Sequence, residues 1–361
     1  MRGRHFIGLD THCAFCEMAV VSEAGQVVKR QRCGTTIPEL MEAIVSVPAP
    51  RYLVFEEGPL ADWLYRNLRT QVDEIVVCEP RRNRLIAEDG DKDDPIDAPK
   101  LAQLYRGGYI KPVHHTESFE RIVLKQMVGL YHDRVRNRVR QANRIMGQLR
   151  QHGVFVRESA FCEPKQRQAL LERWTSDRTL RAALQLLWEG YELALRQADG
   201  MRRMMVRLAR REEVIRRFIA VPGVHWIRAA TFFAYVDTPW RFRSKSALWK
   251  YLGIGLQRRR SGEGPTAVFV PTDVNRILKC AVLGAAKSAI ATKDNPFADQ
   301  YARYVHEGLS LRNARRSVAR SQTAVMWGMW KNGSVYRPEW VGRTGVGEAG
   351  ASSSGPSSSS A

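Results

Sequence analysis

The 361-residue sequence contains no run of about eighteen apolar residues, so it predicts no transmembrane helix and no membrane partner. The N-terminal residues MRGRH lead into a short predicted strand and lack the apolar stretch of a signal peptide. The six cysteines are scattered, which suits a reducing cytoplasm better than a disulfide framework. Cys13 and Cys16 form a C-x-x-C, but no second pair follows at zinc-finger spacing. We therefore expect a cytoplasmic protein without a structural zinc site.

Acidic residues are also scarce relative to basic ones. The chain has 57 Lys and Arg against 37 Asp and Glu, a formal net charge of +20. Such an excess argues against an enzyme of small anionic metabolites and is typical of proteins that neutralise phosphates. A solvated basic surface, as in many ribosome-associated proteins, is the alternative interpretation. Composition therefore favours a nucleic acid as the partner.

Residues 5–107 alternate strand patterns with helical ones. Three strand patterns come first, followed in turn by a helix, a strand, a helix, a strand and a helix. A basic helical stretch, EPRRNRLIAE, lies between the last strand and the final helix around IDAPKLAQLY. A hairpin meander that leads into βα units predicts a mixed sheet covered by helices.

The rest of the chain is predicted to be helical. Residues 116–219 contain two long segments rich in Leu, Arg and Glu, which predict an antiparallel hairpin or a dimerising coiled coil. Residues 220–340 are mainly helical, with a Gly- and Arg-rich loop inside KYLGIGLQRRRSGEGPTAVF. Residues 341–361 are rich in Gly and Ser and predict a disordered tail. The predicted fold class is α/β plus all-α, with domains at 1–115, 116–219 and 220–340.

Acidic residues occupy the edges of several elements in the first predicted domain. Asp10 ends the first strand, Glu56 ends the fourth, and Asp94 and Asp97 begin the last helix. Their side chains can converge on one rim of the sheet and hold Mg²⁺, which takes oxygen ligands and keeps several waters. Two such ions about 4 Å apart would clamp the attacking and leaving oxygens of a phosphodiester exchange.

A purely structural interpretation of the last two acids is also open. Asp94 before Pro95 is a good N-cap with proline at the first helical position. A helix from Pro95 would put Asp94 and Asp97 on one face, but Pro99 would then lie inside it and remove a hydrogen bond. A helix that begins near Asp97 weakens the shared-face interpretation.

Taken together, the segments IGLD, VFE and KDDPIDAPKLA resemble the DEDD signature of the IS110 group of insertion-sequence transposases, relatives of the Piv invertase. Matches to the family pattern K-T-D-x-x-D-A-x-x-L-A are Lys92, Asp94, Asp97, Ala98, Leu101 and Ala102. The resemblance implies a RuvC-like domain with a ribonuclease H fold. It also implies that Asp10, Glu56, Asp94 and Asp97 are catalytic metal ligands for Mg²⁺, with Mn²⁺ as an alternative.

Two departures from the family pattern concern these acids. Asp93 stands at the usual threonine, which adds one more acid beside the site. The family glutamate is normally followed by Ala-Thr-Gly or similar, whereas Glu57, Gly58 and Pro59 follow here. The choice between Glu56 and Glu57 therefore stays open, although alignment on the downstream Pro80 needs the smaller gap with Glu56.

The third predicted unit resembles the C-terminal domain of the same family. AVPGV precedes an apolar helix, and a Gly-Leu pair is followed by the Ser-Gly pair at Ser261. In the family, that serine is a nucleophile that becomes covalently joined to DNA. One departure is a stretch from Thr272 to Lys279 that lacks the family's glycine. Without the resemblance, a basic surface loop with an ordinary Ser-Gly turn is the simpler interpretation.

Arginines accompany the serine. Arg258, Arg259 and Arg260 can hold the scissile phosphate and spread its developing charge. A second set with helical spacing is expected to contact backbone phosphates and comprises Arg312, Arg315, Arg316 and Arg320. A serine hydroxyl is a poor nucleophile at neutral pH, so it needs help that metal-bound DNA and the acids supply if the two domains meet.

The resemblance implies a DNA transposase that works as a dimer or tetramer on element ends and target DNA, at the bacterial nucleoid. It also implies a noncoding bridge RNA as guide, and the charge of the chain fits RNA as well as DNA. Two alternatives remain. A RuvC-like nuclease would hydrolyse DNA with the acids and water and form no protein–DNA bond. A non-catalytic scaffold would bind nucleic acid through charge alone.

Overall fold

The computed structural model describes residues 3–79, 94–116, 118–174, 177–259, 267–271 and 273–341. The chain forms two compact units, Met1–Ile122 and Val123–Ala361. Most of the predicted basic helix at 79–88 and nearly all of the predicted tail lie outside the described residues. Within the described ranges, no helix is long and apolar enough to cross a membrane.

A five-stranded sheet forms the first unit. The strands are β1 (His5–Thr11), β2 (Phe15–Ser22), β3 (Val27–Gly34), β4 (Arg51–Glu56) and β5 (Glu74–Cys78). They lie in the order β3-β2-β1-β4-β5, with β1, β2 and β3 antiparallel and β1, β4 and β5 parallel. This arrangement confirms the predicted mixed sheet, because a hairpin meander on one side continues into βα crossovers on the other.

The first face of the sheet is covered by helices α1 (Ile37–Val45) and α2 (Ala61–Leu68). Thr36 caps α1 by accepting a hydrogen bond from the backbone of Glu39, and proline stands in its first turn. Alternate residues of the strands, such as Ile7 and Leu9, are buried in one apolar cluster with side chains of both helices. Burial of this cluster is the main stabilisation of the unit.

The opposite face carries helix α3 (Asp94–Arg106), which lies directly on β1. A Cβ on Gly8 would stand 2.0 Å from the carbonyl oxygen of Ala98 and 2.8 Å from the amide nitrogen of Ala102. Only glycine permits this close approach of two backbones. The helix begins at Asp94 and contains Pro99, so the alternative start near Asp97 is wrong. Pro99 is the sixth residue of α3 and removes one backbone hydrogen bond, a loss that the close packing of α3 on β1 offsets.

Helices build the second unit. Its helices are α4 (Phe119–Gln151), which begins in the first unit, α5 (Pro164–Trp174), α6 (Arg178–Ala209), α7 (Glu213–Phe218), α8 (Trp226–Val236), α9 (Lys245–Tyr251), α10 (Arg276–Ala291), α11 (Pro296–His306) and α12 (Leu311–Asn332). Short 3₁₀ turns occur at Arg69–Gln71, Glu158–Phe161, Pro239–Arg241 and Pro338–Trp340. Strands β6 (Gln257–Arg259) and β7 (Ala267–Phe269) form a two-stranded antiparallel hairpin.

The two long helices, α4 and α6, each contribute residues to two separate apolar clusters. Ile145 of α4 and Trp188 of α6 belong to a cluster shared with α5, whereas Val128 and Met205 belong to the large cluster shared with α8, α10 and α12. Gly223 has a φ of 76° and lies against the backbone of α10, where a Cβ would stand 2.3 Å from the carbonyl oxygen of Ala285. Position 223 therefore requires glycine.

Candidate functional site

Two predicted acids lie side by side at the carboxyl ends of the parallel strands. The register of β1 and β4 pairs Leu9 with Phe55, so Asp10 and Glu56 follow at matching positions. Neighbouring strands are about 4.8 Å apart, and residues at one register position point to the same face. Glu57 is one residue further and is exposed, and its backbone N–H donates to the carbonyl oxygen of Cys78 at 2.8 Å. Alternation therefore puts Glu56, not Glu57, on the face of Asp10.

Helix α3 runs opposite to β1 across this face. Gly8 is covered by Ala98, whereas Phe6, which lies earlier in the strand, packs with the later helical residues Ala102 and Tyr105. Moving toward the carboxyl end of the strand therefore means moving toward the start of the helix. This direction places the N-terminal turn of α3 at the same sheet edge as Asp10.

The backbone positions of the four acids lie toward this edge of the sheet. Asp94 precedes Ala98 by one helical turn, and Ala98 covers Gly8 of β1. Asp10 follows Gly8 by two residues, so it is on the same face of the strand. Asp97 is likewise one turn before Leu101, which packs in one cluster with Val54 of β4, and Glu56 is one pleat beyond Val54. The side chain of Asp94 is not among those described.

The donor set of this edge consists of carboxylates. Hard divalent ions such as Mg²⁺ and Mn²⁺ take oxygen ligands, so the residues fit such an ion. Among the side chains that the structure describes, no three of His, Cys, Asp or Glu are gathered as a metal site. Asp97 is exposed, and Asp10 and Glu56 are half-buried.

Asp10 has neighbours that the sequence did not reveal. Nε2 of His12 lies 3.0 Å from Oδ2 of Asp10, and its ring packs on Phe15 with the centroids 4.8 Å apart. Glu17 is directly opposite Asp10 in the β1–β2 pair, and Nε of Arg32 donates to Glu17 at 2.6 Å. The alternation of β2 could have identified Glu17, whereas the contact of His12 depends on the turn.

The second unit contains the predicted serine segment. Strands β6 and β7 pair Gln257 with Phe269 and Arg259 with Ala267. This hairpin replaces part of the predicted loop, because the residues before and after 260–266 pair as strands. Arg258 and Arg259 lie in β6, and their side chains are not described. Arg260 and Ser261 lie outside the described residues.

A groove of about 570 Å³ lies beside this hairpin. Its lining residues come from the hairpin, from α10 and from the first turns of α12, and they are Leu256, Phe269, Val270, Lys279, Arg312, Asn313 and Arg316. Partial burial, and then the charge of Arg312, lower the pKa of Arg316. NH1 of Arg316 donates to Oδ1 of Asn313 at 3.3 Å. Two of the predicted phosphate-binding arginines therefore meet in one groove.

The other two arginines of that predicted set are placed differently. Arg315 and Arg320 do not line the groove. Burial is the main cause that lowers the pKa of Arg320, and its Nε has no hydrogen-bond partner among the described atoms. Lys279, Asn313 and Phe269 line the groove although the sequence did not single them out. Only folding reveals this set, because its members are far apart in the chain.

Transposases are among the known proteins that resemble this chain. A family model for DEDD transposases of the IS110 type, described as "Transposase", matches residues 7–154, which include the four acids. A second model, "Transposase IS116/IS110/IS902 family", matches residues 215–302, which include the β6–β7 hairpin and Ser261. The curated protein "Putative transposase y4pF/y4sB" of Sinorhizobium fredii (strain NBRC 101917 / NGR234) is 23% identical over 341 residues, or 92% of this chain and 85% of its own length.

Proposed function

This chain belongs to the IS110 family of DNA transposases, and from that premise we propose that it cuts and joins DNA through a covalent bond between Ser261 and a DNA strand. The observation that carries this proposal is the parallel register of β1 and β4, which puts Asp10 beside Glu56, together with the start of α3 at Asp94. In this proposal the side chains of Asp10, Glu56, Asp94 and Asp97 converge on one metal site. The family's second domain supplies the serine, which the sequence places between β6 and β7.

The four carboxylates would hold Mg²⁺, with Mn²⁺ as the alternative. When bound, the metal would neutralise charge on the phosphate oxygens of the DNA. The register of β1 and β4 supports Glu56 over Glu57 as the ligand, because Glu56 shares the face of Asp10. Arg32 bonds to Glu17 next to Asp10, which partly balances the local negative charge.

Strand exchange follows two steps in this proposal. The Ser261 oxygen forms a bond to phosphorus and gives its proton to a base, while the bond from phosphorus to the leaving strand's oxygen breaks and that oxygen takes up a proton. The hydroxyl of another strand then loses its proton and attacks the same phosphorus, and the bond to Ser261 breaks and the serine oxygen regains a proton, so the number of phosphodiester bonds is conserved. The guanidinium groups of Arg258, Arg259 and Arg260 would hold the phosphate during both steps.

The partners in this proposal are element ends, target DNA and a noncoding bridge RNA, and the protein acts as a dimer or tetramer at the bacterial nucleoid. The net charge of +20 supports two polyanionic partners. Arginines along α4 and α6, such as Arg140, Arg144 and Arg207, are exposed and offer charge outside the two sites.

A metal-dependent nuclease that uses water is the second candidate. The observation in its favour is that all four acids belong to the first unit, so a site formed by them needs no serine. It differs from the first candidate in one product, because hydrolysis leaves no protein–DNA bond. A non-catalytic scaffold is not retained, since the family membership makes the chain an enzyme.

The experiment incubates the full chain with Mg²⁺, element-end DNA and the flanking transcript, and separates the products on denaturing gels. We expect a protein–DNA adduct that disappears in Ser261→Ala and in Asp10→Asn. Ser246→Ala is the matched control, because Ser246 is exposed on α9, and it should keep the adduct. Cleavage that persists in Ser261→Ala without an adduct would establish the nuclease instead.

A further inference from the structure

The groove beside the β6–β7 hairpin has two walls of different chemistry. Leu256 and Phe269 form an apolar wall, and Lys279, Arg312 and Arg316 form a basic one. We propose that this groove binds one unstacked nucleotide of the DNA strand next to the bond that Ser261 cuts, and that Asn313 contacts its base. The proposal rests on the proposed function, because it names the DNA feature that the serine domain recognises.

The basic wall needs an anion. Lys279, Arg312 and Arg316 come from two helices and line the same groove, and no acid is among the described residues that line it. Partial burial, and then repulsion from the charge of Arg312, disfavour the charged state of Arg316 and lower its pKa. A phosphate between these side chains removes the repulsion and accepts hydrogen bonds from guanidinium groups.

The apolar wall fits a base. The side chains of Phe269 and Leu256 remain 43% and 48% exposed although both are large and apolar. A base stacked on Phe269 covers this surface, and such stacking strengthens binding roughly 5- to 150-fold per base. The groove volume of about 570 Å³ is in the range of pockets that hold small ligands.

The hydrogen bond between Arg316 and Asn313 assigns the amide oxygen and nitrogen of Asn313. The atom that accepts from NH1 of Arg316 at 3.3 Å has to be the amide oxygen, because a guanidinium only donates. The amide nitrogen of Asn313 is therefore turned away from Arg316 with its two N–H groups. These donors match a carbonyl oxygen on a base, such as O4 of thymine.

The groove is also near the reacting serine along the chain. Phe269 pairs with Gln257 in the hairpin, and Gln257 precedes Ser261 by four residues. Four residues span at most about 14 Å. A nucleotide in the groove is therefore within a few nucleotides of a phosphate that Ser261 attacks.

The test is photocrosslinking of the full chain to a single-stranded deoxythymidine decamer with one central 5-iododeoxyuridine. Iodouracil crosslinks to an aromatic ring on which it stacks, and trypsin releases residues 261–276 as one peptide with Phe269 as its only aromatic residue. We expect the crosslink in this peptide, at Phe269. We expect Phe269→Leu to abolish it, whereas Phe155→Leu, at an exposed phenylalanine outside the groove, preserves it.

The affinity of the same decamer complements the crosslink. We expect the wild type to prefer it over an abasic decamer roughly 5- to 150-fold, and Phe269→Leu and Asn313→Ala to reduce this preference. Circular dichroism checks that each variant is folded. No crosslink in 261–276, or an unchanged preference in folded Phe269→Leu, would overturn the proposal. Stronger crosslinking to a uridine decamer would overturn it too, because it would assign the groove to RNA.

Ser261→Ala separates this proposal from the proposed function. Ser261→Ala should keep the crosslink and the preference, because the groove and not the hydroxyl binds the base. If Ser261→Ala still cleaves DNA but the crosslink at Phe269 stands, the serine mechanism is wrong and the groove assignment survives. If the adduct depends on Ser261 but no crosslink forms, only the groove assignment is wrong.

Discussion

The acidic edge of the sheet and the basic groove of the helical unit are built in different ways. Asp10 and Glu56 are fixed by strand register, and the start of α3 is fixed by the backbone contact at Gly8. The groove instead combines a hairpin, the middle of one helix and the start of another. Strand pairing therefore determines which residues of β1 and β4 lie side by side. The groove depends instead on the packing of side chains that are distant in sequence. We therefore expect the acidic edge to depend strongly on one backbone contact, at Gly8. We expect binding in the groove to be distributed over several side chains.

The largest effect is expected at the acidic edge. Asp10→Asn and Glu56→Gln remove a charge from the metal-binding face and should lower the rate of adduct formation by about 100- to 1000-fold. Glu57→Gln is the matched control, because Glu57 is on the other face and should leave the rate unchanged. The rate is measured in single-turnover assays on element-end DNA. Equal losses in Glu56→Gln and Glu57→Gln would show that register does not choose the ligand.

The next effect concerns the contact that positions α3. Gly8→Val places carbon atoms where the carbonyl of Ala98 lies, so we expect it to lower the free energy of unfolding of the first unit by about 3 kcal/mol. Gly58→Ala is the control, since a Cβ there meets nothing within 4 Å. Urea unfolding followed by circular dichroism gives both values. Stability equal to wild type in Gly8→Val would contradict the close packing of α3 on β1.

A smaller, pH-dependent effect belongs to the helical unit. Burial, followed by the charge of Arg136, lowers the pKa of His132 to about 4, and its Nε2 lies 3.0 Å from the hydroxyl oxygen of Thr231. Thr231 donates its own proton to the carbonyl of Ile227, so His132 donates as a neutral ring. The unfolded chain binds the proton more readily, so stability should be full above pH 6.5 and should fall as the pH drops toward 4.

The partial exposure of His132 limits this loss to about 2 kcal/mol. Urea unfolding at several pH values measures it. His132→Gln keeps an N–H donor and cannot titrate, so the fall between pH 6.5 and 4 should become shallower. A variant with the same pH dependence as the wild type would show that other groups cause it. This measurement sharpens the comparison of the two units, because His132 belongs to the second one.

The smallest effect is a change in salt dependence at the groove. Arg312→Gln and Arg316→Gln should each reduce the magnitude of the slope of log affinity against log salt by about 0.7 for single-stranded DNA. Arg207→Gln, at an exposed arginine on α6, is the matched control for a charge outside the groove. Affinities of the decamer at several salt concentrations give the slopes. A slope that changes equally in all three variants would mean that the groove is not a distinct phosphate site.

Much of the first unit was predictable because its elements follow local rules. Alternating apolar residues predicted the strands, and the predicted strand ends agree with Asp10 in β1 and Glu56 at the end of β4. Pro99 made the start of α3 ambiguous, because local propensity alone does not include the packing on β1 that holds the helix from Asp94. Of the second arginine set, Arg312 and Arg316 line the groove and Arg315 and Arg320 do not, and contact with phosphates stays a prediction for all four. Helical spacing does not show that α12 turns Arg320 toward buried surroundings.

The most direct test of the central claim is mass spectrometry of the DNA-linked protein after trypsin and nuclease digestion. We predict that the peptide of residues 261–276 carries a nucleotide phosphate on the Ser261 oxygen, in wild type with Mg²⁺ and not in Asp10→Asn. A DNA-linked phosphate on another residue, or cleaved DNA with no linked peptide, would contradict the serine mechanism.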